Sequence, residues 1–189
     1  MSLSSIDKLK SLEYTFSTFR KLLRLGRFVD TMYGALKTID YPDYVVSITC
    51  TMSKIAYAMF LLCDHILWIG RVGVMDVNIE KWSVTANKYW LYTVIINLVR
   101  DYYELNKLMS MCRADGTPLL TSVKKTIRLL GQNRDVLVDT IKNLCDVFIP
   151  LASLSYVKVS PGTVGLLGII SSVAGIVSLM DPLARLSPS

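Results

Sequence analysis

The longest uninterrupted apolar segment lies near the C-terminus, at residues 159–180. Its 22 residues include no charged side chain, and Lys158 and Asp181 border it. A helix rises about 1.5 Å per residue, so roughly 20 apolar residues cross a hydrocarbon core about 30 Å thick. The segment therefore predicts a C-terminal transmembrane helix. The alternative is a buried helix of a soluble protein, which the glycines in the segment disfavour.

Small residues recur every three or four positions inside this predicted helix. That spacing places them on one side, where a second helix can approach closely in a membrane. The predicted helix-packing residues are Gly165, Gly168, Ser171, Ser172 and Gly175.

Residues 5–39 show helical periodicity together with a basic flank, which predicts an amphipathic basic helix. The apolar stripe consists of Leu9, Leu12, Phe16, Phe19, Leu22 and Leu23. Four cations lie within eight residues of one another: Arg20, Lys21, Arg24 and Arg27. A helix of this kind can bury its stripe in the lipid headgroup layer while the cations bind anionic lipid. The alternative is an ordinary bundle helix with a solvated basic face.

The phase of the apolar pattern changes after Gly26. A second stripe lies on nearly the opposite side of the same ideal helix, at Leu25, Phe28, Met32, Leu36 and Ile39. Either the helix bends at Gly26, or the two stripes contact different surfaces.

Residues 44–70 form a possible first membrane segment. Pro42 and Asp43 break the preceding helix, and the residues up to Cys63 are apolar except for Lys54. A lysine at the membrane centre costs about 2.5–3.5 kcal/mol on insertion scales, which the other residues can offset. A spanning helix and a helix packed beside others both remain open here.

Residues 79–146 predict central helices that do not cross a membrane. Their aromatic side chains lie among aliphatic ones, which favours core packing over base stacking in nucleic acid. Arg100 and Glu104 have the spacing of an ion pair on one helix face. Pro150 predicts a helix break at residues 147–151.

The composition agrees with a membrane setting. The chain has 189 residues, 52% of them hydrophobic, with a mean hydropathy of +0.42, a net charge of +6 and a pI near 9.1. A basic balance suits an anionic surface, and the apolar content favours phospholipid over nucleic acid. Four scattered cysteines and one histidine give no zinc spacing, so we expect no metal, no cofactor and no catalytic residues.

The expected fold is therefore an all-α membrane protein. It is a single membrane-associated domain over residues 1–189, with an amphipathic N-terminal helix, a helical bundle and a C-terminal transmembrane helix. One further span is possible within 44–70.

Several segments of the chain resemble, in the same order, those of the peroxin-11 family of peroxisomal membrane proteins, most closely its animal alpha/beta branch. The matching segments are 20–26 (RKLLRLG), 62–73, 81–82, 97–104, 143–151 and 161–168, together with Ser171 and Ser172. Only 19 residues precede Arg20, so relative to the family we expect the usual first helical segment to be missing.

The resemblance implies a function. Family members elongate the peroxisomal membrane and promote peroxisome proliferation and fission through amphipathic helix insertion and oligomerisation. It also implies a dynamin-related fission machinery and a peroxisomal membrane-protein import receptor as partners, and a multi-pass topology with cytosolic termini. The alternative function is a peroxisomal channel for small metabolites. Only Lys54, Ser171 and Ser172 suggest themselves as polar groups for such a path.

Overall fold

The computed structural model describes residues 3–113 and 134–180. This part of the chain forms helices and contains no strand, which confirms the all-α class. The helices are α1 (Leu3–Leu22), α2 (Arg27–Thr38), α3 (Tyr44–Val72), α4 (Ile79–Arg113), α5 (Arg134–Ser153) and α6 (Pro161–Met180).

The segment predicted over residues 5–39 is two helices, separated at residues 23–26. Gly26 has φ 82° and ψ −20°, a left-handed conformation that glycine adopts without a steric penalty. The chain therefore bends at Gly26, which was the first of the two alternatives for the change of phase in the apolar pattern. The two apolar stripes consequently belong to different helices, α1 and α2.

Helix α3 begins where the sequence predicts a break. The carboxylate of Asp43 accepts hydrogen bonds from the backbone N–H groups of Val45 (3.1 Å) and Val46 (3.4 Å), which caps the helix. The helix ends at Gly73, which has φ 81°. Among the described helices, α3 and α6 are the two that are long and apolar enough to cross a membrane.

The helices pack mostly in chain order. Helices α1 and α2 lie against α3, α3 packs on α4, α4 on α5, and α5 on α6. Cys63 and Leu67 of α3 form a buried cluster with Ala86 of α4, and three partly buried aromatic residues surround it: Phe60, Trp82 and Tyr89. The aromatic residues of α4 named here thus pack against protein, as their aliphatic neighbours predicted.

The predicted helix break around Pro150 is wrong. Helix α5 continues through Pro150 to Ser153. Pro150 is buried and has no backbone N–H to donate to the preceding turn. Its carbonyl still accepts the backbone N–H of Leu154 at 2.9 Å, which closes the last turn of the helix. The chain leaves the helix at Ser155, which has φ 59°.

The predicted pair between Arg100 and Glu104 is also wrong. Arg100 is bonded to Asp101 at 3.0 Å and to Asp139 of α5. The side-chain amide of Asn143 donates to Asp101 at 2.7 Å, and both residues are about fully buried. Burial raises the pKa of Asp101, while the bond from Asn143 opposes that shift. The contact of Arg100 with Asp139 joins two different helices, so residue spacing within α4 could not predict it.

Candidate membrane interface and adjoining cavity

Helix α1 turns its apolar stripe away from the rest of the protein. The opposite side, which faces α3, carries Ser17, Thr18 and the buried Lys21. The outward stripe is 38–78% exposed and consists of Leu9, Leu12, Phe16, Phe19, Leu22 and Leu23. A water-soluble bundle has the reverse arrangement, with its apolar stripe packed inward. In water the apolar side chains of this stripe would therefore be exposed to solvent rather than buried in the protein.

An ion pair fixes the polar side of α1 to α3. Lys21 bonds to Asp64, and Arg24 lies 3.5 Å from the second oxygen of the same carboxylate. Only 11% of the Lys21 side chain and 5% of the Asp64 side chain are exposed. A charge this well buried requires a partner, so each member of the pair constrains the position of the other.

Two further contacts support this docking. The guanidinium of Arg71 donates to the hydroxyl of Ser17 at 3.4 Å and lies over the Tyr14 ring, 5.2 Å from its centroid. His65 contacts the backbone carbonyl of Arg24 at 2.8 Å, and its ring meets that of Phe28 edge to face. His65 is thus a packed histidine.

The four predicted lipid-binding cations occupy two different environments. Lys21 is buried and Arg24 is half-buried, and both bind Asp64. Arg20 and Arg27 are exposed. Binding of anionic lipid by these residues remains a prediction, and in this geometry Arg20 and Arg27 are the ones whose side chains reach outward.

Helix α2 repeats the outward arrangement. Ala35 and Thr38 are buried against α3. Its exposed side carries a second group of apolar residues: Val29, Met32, Tyr33, Leu36 and Ile39. The two N-terminal helices thus both present apolar side chains on their exposed sides.

The predicted helix-packing residues of α6 divide between two sides. Ser171 donates to Asp146 of α5, and a Cβ on Gly168 would lie 3.8 Å from Ile149 of the same helix. Gly165 and Ser172 are exposed, and open space surrounds the Cα of Gly175. Gly168 and Ser171 thus approach α5, whereas Gly165 and Ser172 do not.

A cavity of about 780 Å³ lies between α1, α3, α4, α5 and α6. Lys54, Ser171 and Ser172, the polar residues that the sequence suggested for a solute path, all line it. Many further polar residues join them, among them Asn87, Asn97, Arg100, Lys142, Asn143 and Asp146. The sequence analysis missed this set. Its signal is the recurrence of Ser83, Asn87, Asn97 and Arg100 along one side of α4 at helical spacing.

The described residues include no group of three or more His, Cys, Asp or Glu side chains that could hold a metal ion. Cys50, Cys63 and Cys145 are present as thiols. Burial raises the pKa of the Cys145 thiol, which disfavours its thiolate form. Polar recognition in the cavity must therefore come from the amide, hydroxyl and charged side chains.

Two long apolar helices and the outward apolar stripes of α1 and α2 define an all-α membrane protein. The chain belongs to the peroxisomal biogenesis factor 11 (PEX11) family, whose sequence profile matches residues 1–180. This confirms the resemblance found in the sequence.

Relatives from vertebrates and from yeast agree with this assignment. Human Peroxisomal membrane protein 11A is 34% identical over 203 residues, which cover 96% of this chain and 82% of the relative. Human Peroxisomal membrane protein 11B is 33% identical, covering 96% and 83%. Peroxisomal biogenesis factor 11 of Schizosaccharomyces pombe is 26% identical, covering 93% and 77%. No solved structure matches the chain.

The ion pair at Asp64 yields a prediction. Replacing Asp64 by Asn leaves Lys21 buried without a counter-charge, and breaking a buried pair costs about 3–5 kcal/mol. We therefore expect α1 to undock in a neutral detergent. Hydrogen exchange of residues 3–22 should accelerate at least about tenfold while that of α4 changes little. The matched control is Asp76→Asn, which removes the same charge from the exposed loop after α3. Unchanged exchange in α1 of the Asp64 variant would contradict the tether.

Proposed function

We propose that this chain is a peroxisomal membrane protein that curves and elongates the membrane, and thereby promotes peroxisome biogenesis, proliferation and fission. The family and the names of the relatives support the organelle and the process. One observation of the structure supports the mechanism: α1 is docked by its polar side and exposes its apolar stripe. No catalytic step enters this proposal.

The energetics of the stripe favour shallow insertion. Burying one Leu or Phe side chain contributes about 1.5–3 kcal/mol, and a cation near an anionic leaflet adds about 1 kcal/mol. Six apolar residues with Arg20 and Arg27 beside them are therefore enough for stable attachment to one leaflet of the membrane. Side chains that enter one leaflet enlarge it relative to the other, so the membrane bends towards the enlarged side.

Helix α6 serves as the anchor in this proposal. Only 6% of the apolar stretch of α6 is buried in the protein. Lipid is the natural environment for the remaining apolar surface of this helix. Gly165, exposed on α6, offers a small-residue position for contact with a second copy of the chain. A homo-oligomer would concentrate the α1 wedges, and a dynamin-related fission machinery would act on the resulting tubule. A peroxisomal membrane-protein import receptor would deliver the chain to the organelle.

The cavity favours a second candidate function, the passage of small metabolites. Polar side chains at the depth of membrane helices mark solute paths and binding sites. Lys54 is the eleventh residue of α3, and Ser171 stands at the middle of α6. Three polar residues seemed too few for a path in the sequence, but the cavity adds polar groups from α4 and α5 to them.

The proposed topology gives one prediction. If α3 and α6 both cross with both termini in the cytosol, the loop of residues 73–78 lies in the peroxisomal lumen. An epitope placed after Asp76 should resist protease in intact peroxisomes and be digested after detergent is added. Epitopes at either terminus should be digested in both conditions. Digestion of the loop epitope in intact organelles would contradict the crossing by α3.

The wedge gives a second prediction, tested with the full chain in anionic liposomes. Phe16→Glu with Phe19→Glu removes about 1.5–3 kcal/mol of burial per residue and adds two charges. We expect the tubulated fraction of vesicles, counted by electron microscopy, to fall at least about tenfold.

The control for the wedge makes the same change of charge elsewhere on α1. Lys10→Glu changes the net charge by the same two units at an exposed position on the side of α1 opposite to the apolar stripe. This variant should still tubulate vesicles. If the Phe16 and Phe19 variant tubulates as well as the unmodified chain, the wedge assignment is wrong.

Conductance separates the two candidate functions. A solute path through the cavity should give channel currents in planar bilayers that survive the Phe16 and Phe19 substitutions. Asn97→Leu, which places an apolar side chain in the cavity wall, should reduce those currents. Absence of current from the full chain would leave membrane remodelling as the proposed function.

A further inference from the structure

The cavity carries an excess of positive charge. Six basic residues line it: Arg20, Lys21, Arg24, Lys54, Arg100 and Lys142. Asp64 and Asp146 are the two carboxylates in its wall, and Asp101 and Asp139 bind Arg100 from behind. Counting all four acids against the six bases leaves two positive charges. A concave site of this sign attracts anions.

Lys54 is the clearest uncompensated cation in that wall. Its ammonium donates to the backbone carbonyl of Gly34 at 3.1 Å, and no carboxylate of the described residues lies within ion-pair distance of it. A backbone carbonyl satisfies one donor but does not neutralise the charge. A lysine inside an apolar helix is costly without a counter-ion, so an anion beside it would stabilise this part of α3.

Arg100 supplies a second, independent sign of a missing partner. Its Nε is buried and has no hydrogen-bond acceptor, although its other nitrogens bind Asp101 and Asp139. Buried donors are nearly always satisfied in folded proteins, and leaving one unsatisfied costs about 1–3 kcal/mol. Arg100 also lines the cavity, so its charge adds to that of Lys54 there.

The two residues lie at the same end of the cavity. Arg100 contacts the sulfur of Cys50 at 3.8 Å, and Ser53, beside Lys54, donates to Asn97 at 2.5 Å. These contacts bring one turn of α3 against one turn of α4. Lys142 of α5 also lines the cavity. Its ammonium lies 3.9 Å from the carboxylate of Asp139, which is a long distance for an ion pair.

The other part of the cavity has a different character. The lining extends along α3 to Leu67, about 21 Å from Ser53 at 1.5 Å per residue. Apolar side chains from three helices occupy this stretch: Phe60, Leu67, Trp90, Val94 and Ile149. The cavity thus joins a cationic end to an apolar passage, and its volume of about 780 Å³ lies in the range of small-molecule sites.

We infer that this cavity is a binding site for a phosphate-bearing anion, held by Lys54, Arg100 and Lys142. Phosphate oxygens accept several hydrogen bonds at once, and their negative charge would balance Lys54, whose ammonium donates only to a backbone carbonyl. Free phosphate and the headgroup of an anionic lipid share this chemistry. The inference depends on the cavity alone and holds whether or not α1 bends membranes.

The test uses the full chain in a neutral detergent and two probes, inorganic phosphate and dihexanoyl phosphatidic acid. Binding is followed by isothermal titration calorimetry and by intrinsic tryptophan fluorescence, to which Trp90 of the cavity wall contributes, with dihexanoyl phosphatidylcholine as the zwitterionic comparison. We expect saturable binding that weakens with added salt. Similar affinity for both anionic probes identifies the phosphate group alone as the ligand. Much tighter binding of phosphatidic acid identifies a lipid that also uses the apolar passage.

Variants locate the site. Lys54→Gln with Lys142→Gln should weaken binding about tenfold per lysine, the usual effect of losing a hydrogen bond to a charged group. Lys37→Gln with Lys88→Gln removes the same charge from exposed positions and should change the affinity less than about twofold. Asp146→Asn removes a negative charge from the wall and can still accept the Ser171 hydroxyl, so it should tighten binding several-fold.

Tighter binding by Asp146→Asn could not be explained by misfolding, because a misfolded protein would bind the anion more weakly. The inference is overturned if neither anionic probe shows saturable binding. It is equally overturned if the Lys54 and Lys142 variant binds as the unmodified chain does, or if Asp146→Asn leaves the affinity unchanged.

Discussion

The buried ion pair between Lys21 and Asp64 is the constraint on which the arrangement of the N-terminal part depends. Asp64 is a carboxylate inside a long apolar helix, and such a charge is stable only beside a cation. The pair forces the basic side of α1 towards α3, because Lys21 projects from that side. The apolar stripe, on the opposite side of the same helix, is thereby forced outward. One electrostatic requirement thus sets the direction in which six apolar side chains point.

The same logic extends through the bundle. Asp101 with Asn143, Arg100 with Asp139, and Ser171 with Asp146 are polar contacts between neighbouring helices. Much of the apolar surface, by contrast, remains outside on α1, α2 and α6. In water this distribution would lose most of the hydrophobic contribution to folding. In lipid the hydrocarbon surrounds the apolar side chains, and the polar groups are better paired with one another inside the protein.

The sequence predicted the parts of the structure that depend on local pattern. The bend at Gly26, the start of α3 after Asp43 and the long apolar α6 all follow from residue type and periodicity. The parts that it did not predict depend on contacts between distant residues. Lys21 reads as a lipid-binding cation in its own helix because Asp64, its partner, is 43 residues away. Arg100 seemed to pair with Glu104 because Asp139 enters only through the packing of α5. Pro150 seemed to end a helix whose last turn is held by tertiary burial.

The cavity follows from these same pairings. Helices α3 and α6 do not pack against each other. Helix α3 packs on α4, α4 on α5, and α5 on α6, so two helices separate them. The space that remains is lined by the polar sides of α1, α4 and α5, since their charged residues cannot face lipid. A bundle that turns its apolar residues outward must therefore collect polar ones inside, and six cations cannot be neutralised by the carboxylates that meet them. The polar and basic lining suits water and anions rather than hydrocarbon, so the outward placement of apolar residues and the polar character of the interior have one physical cause.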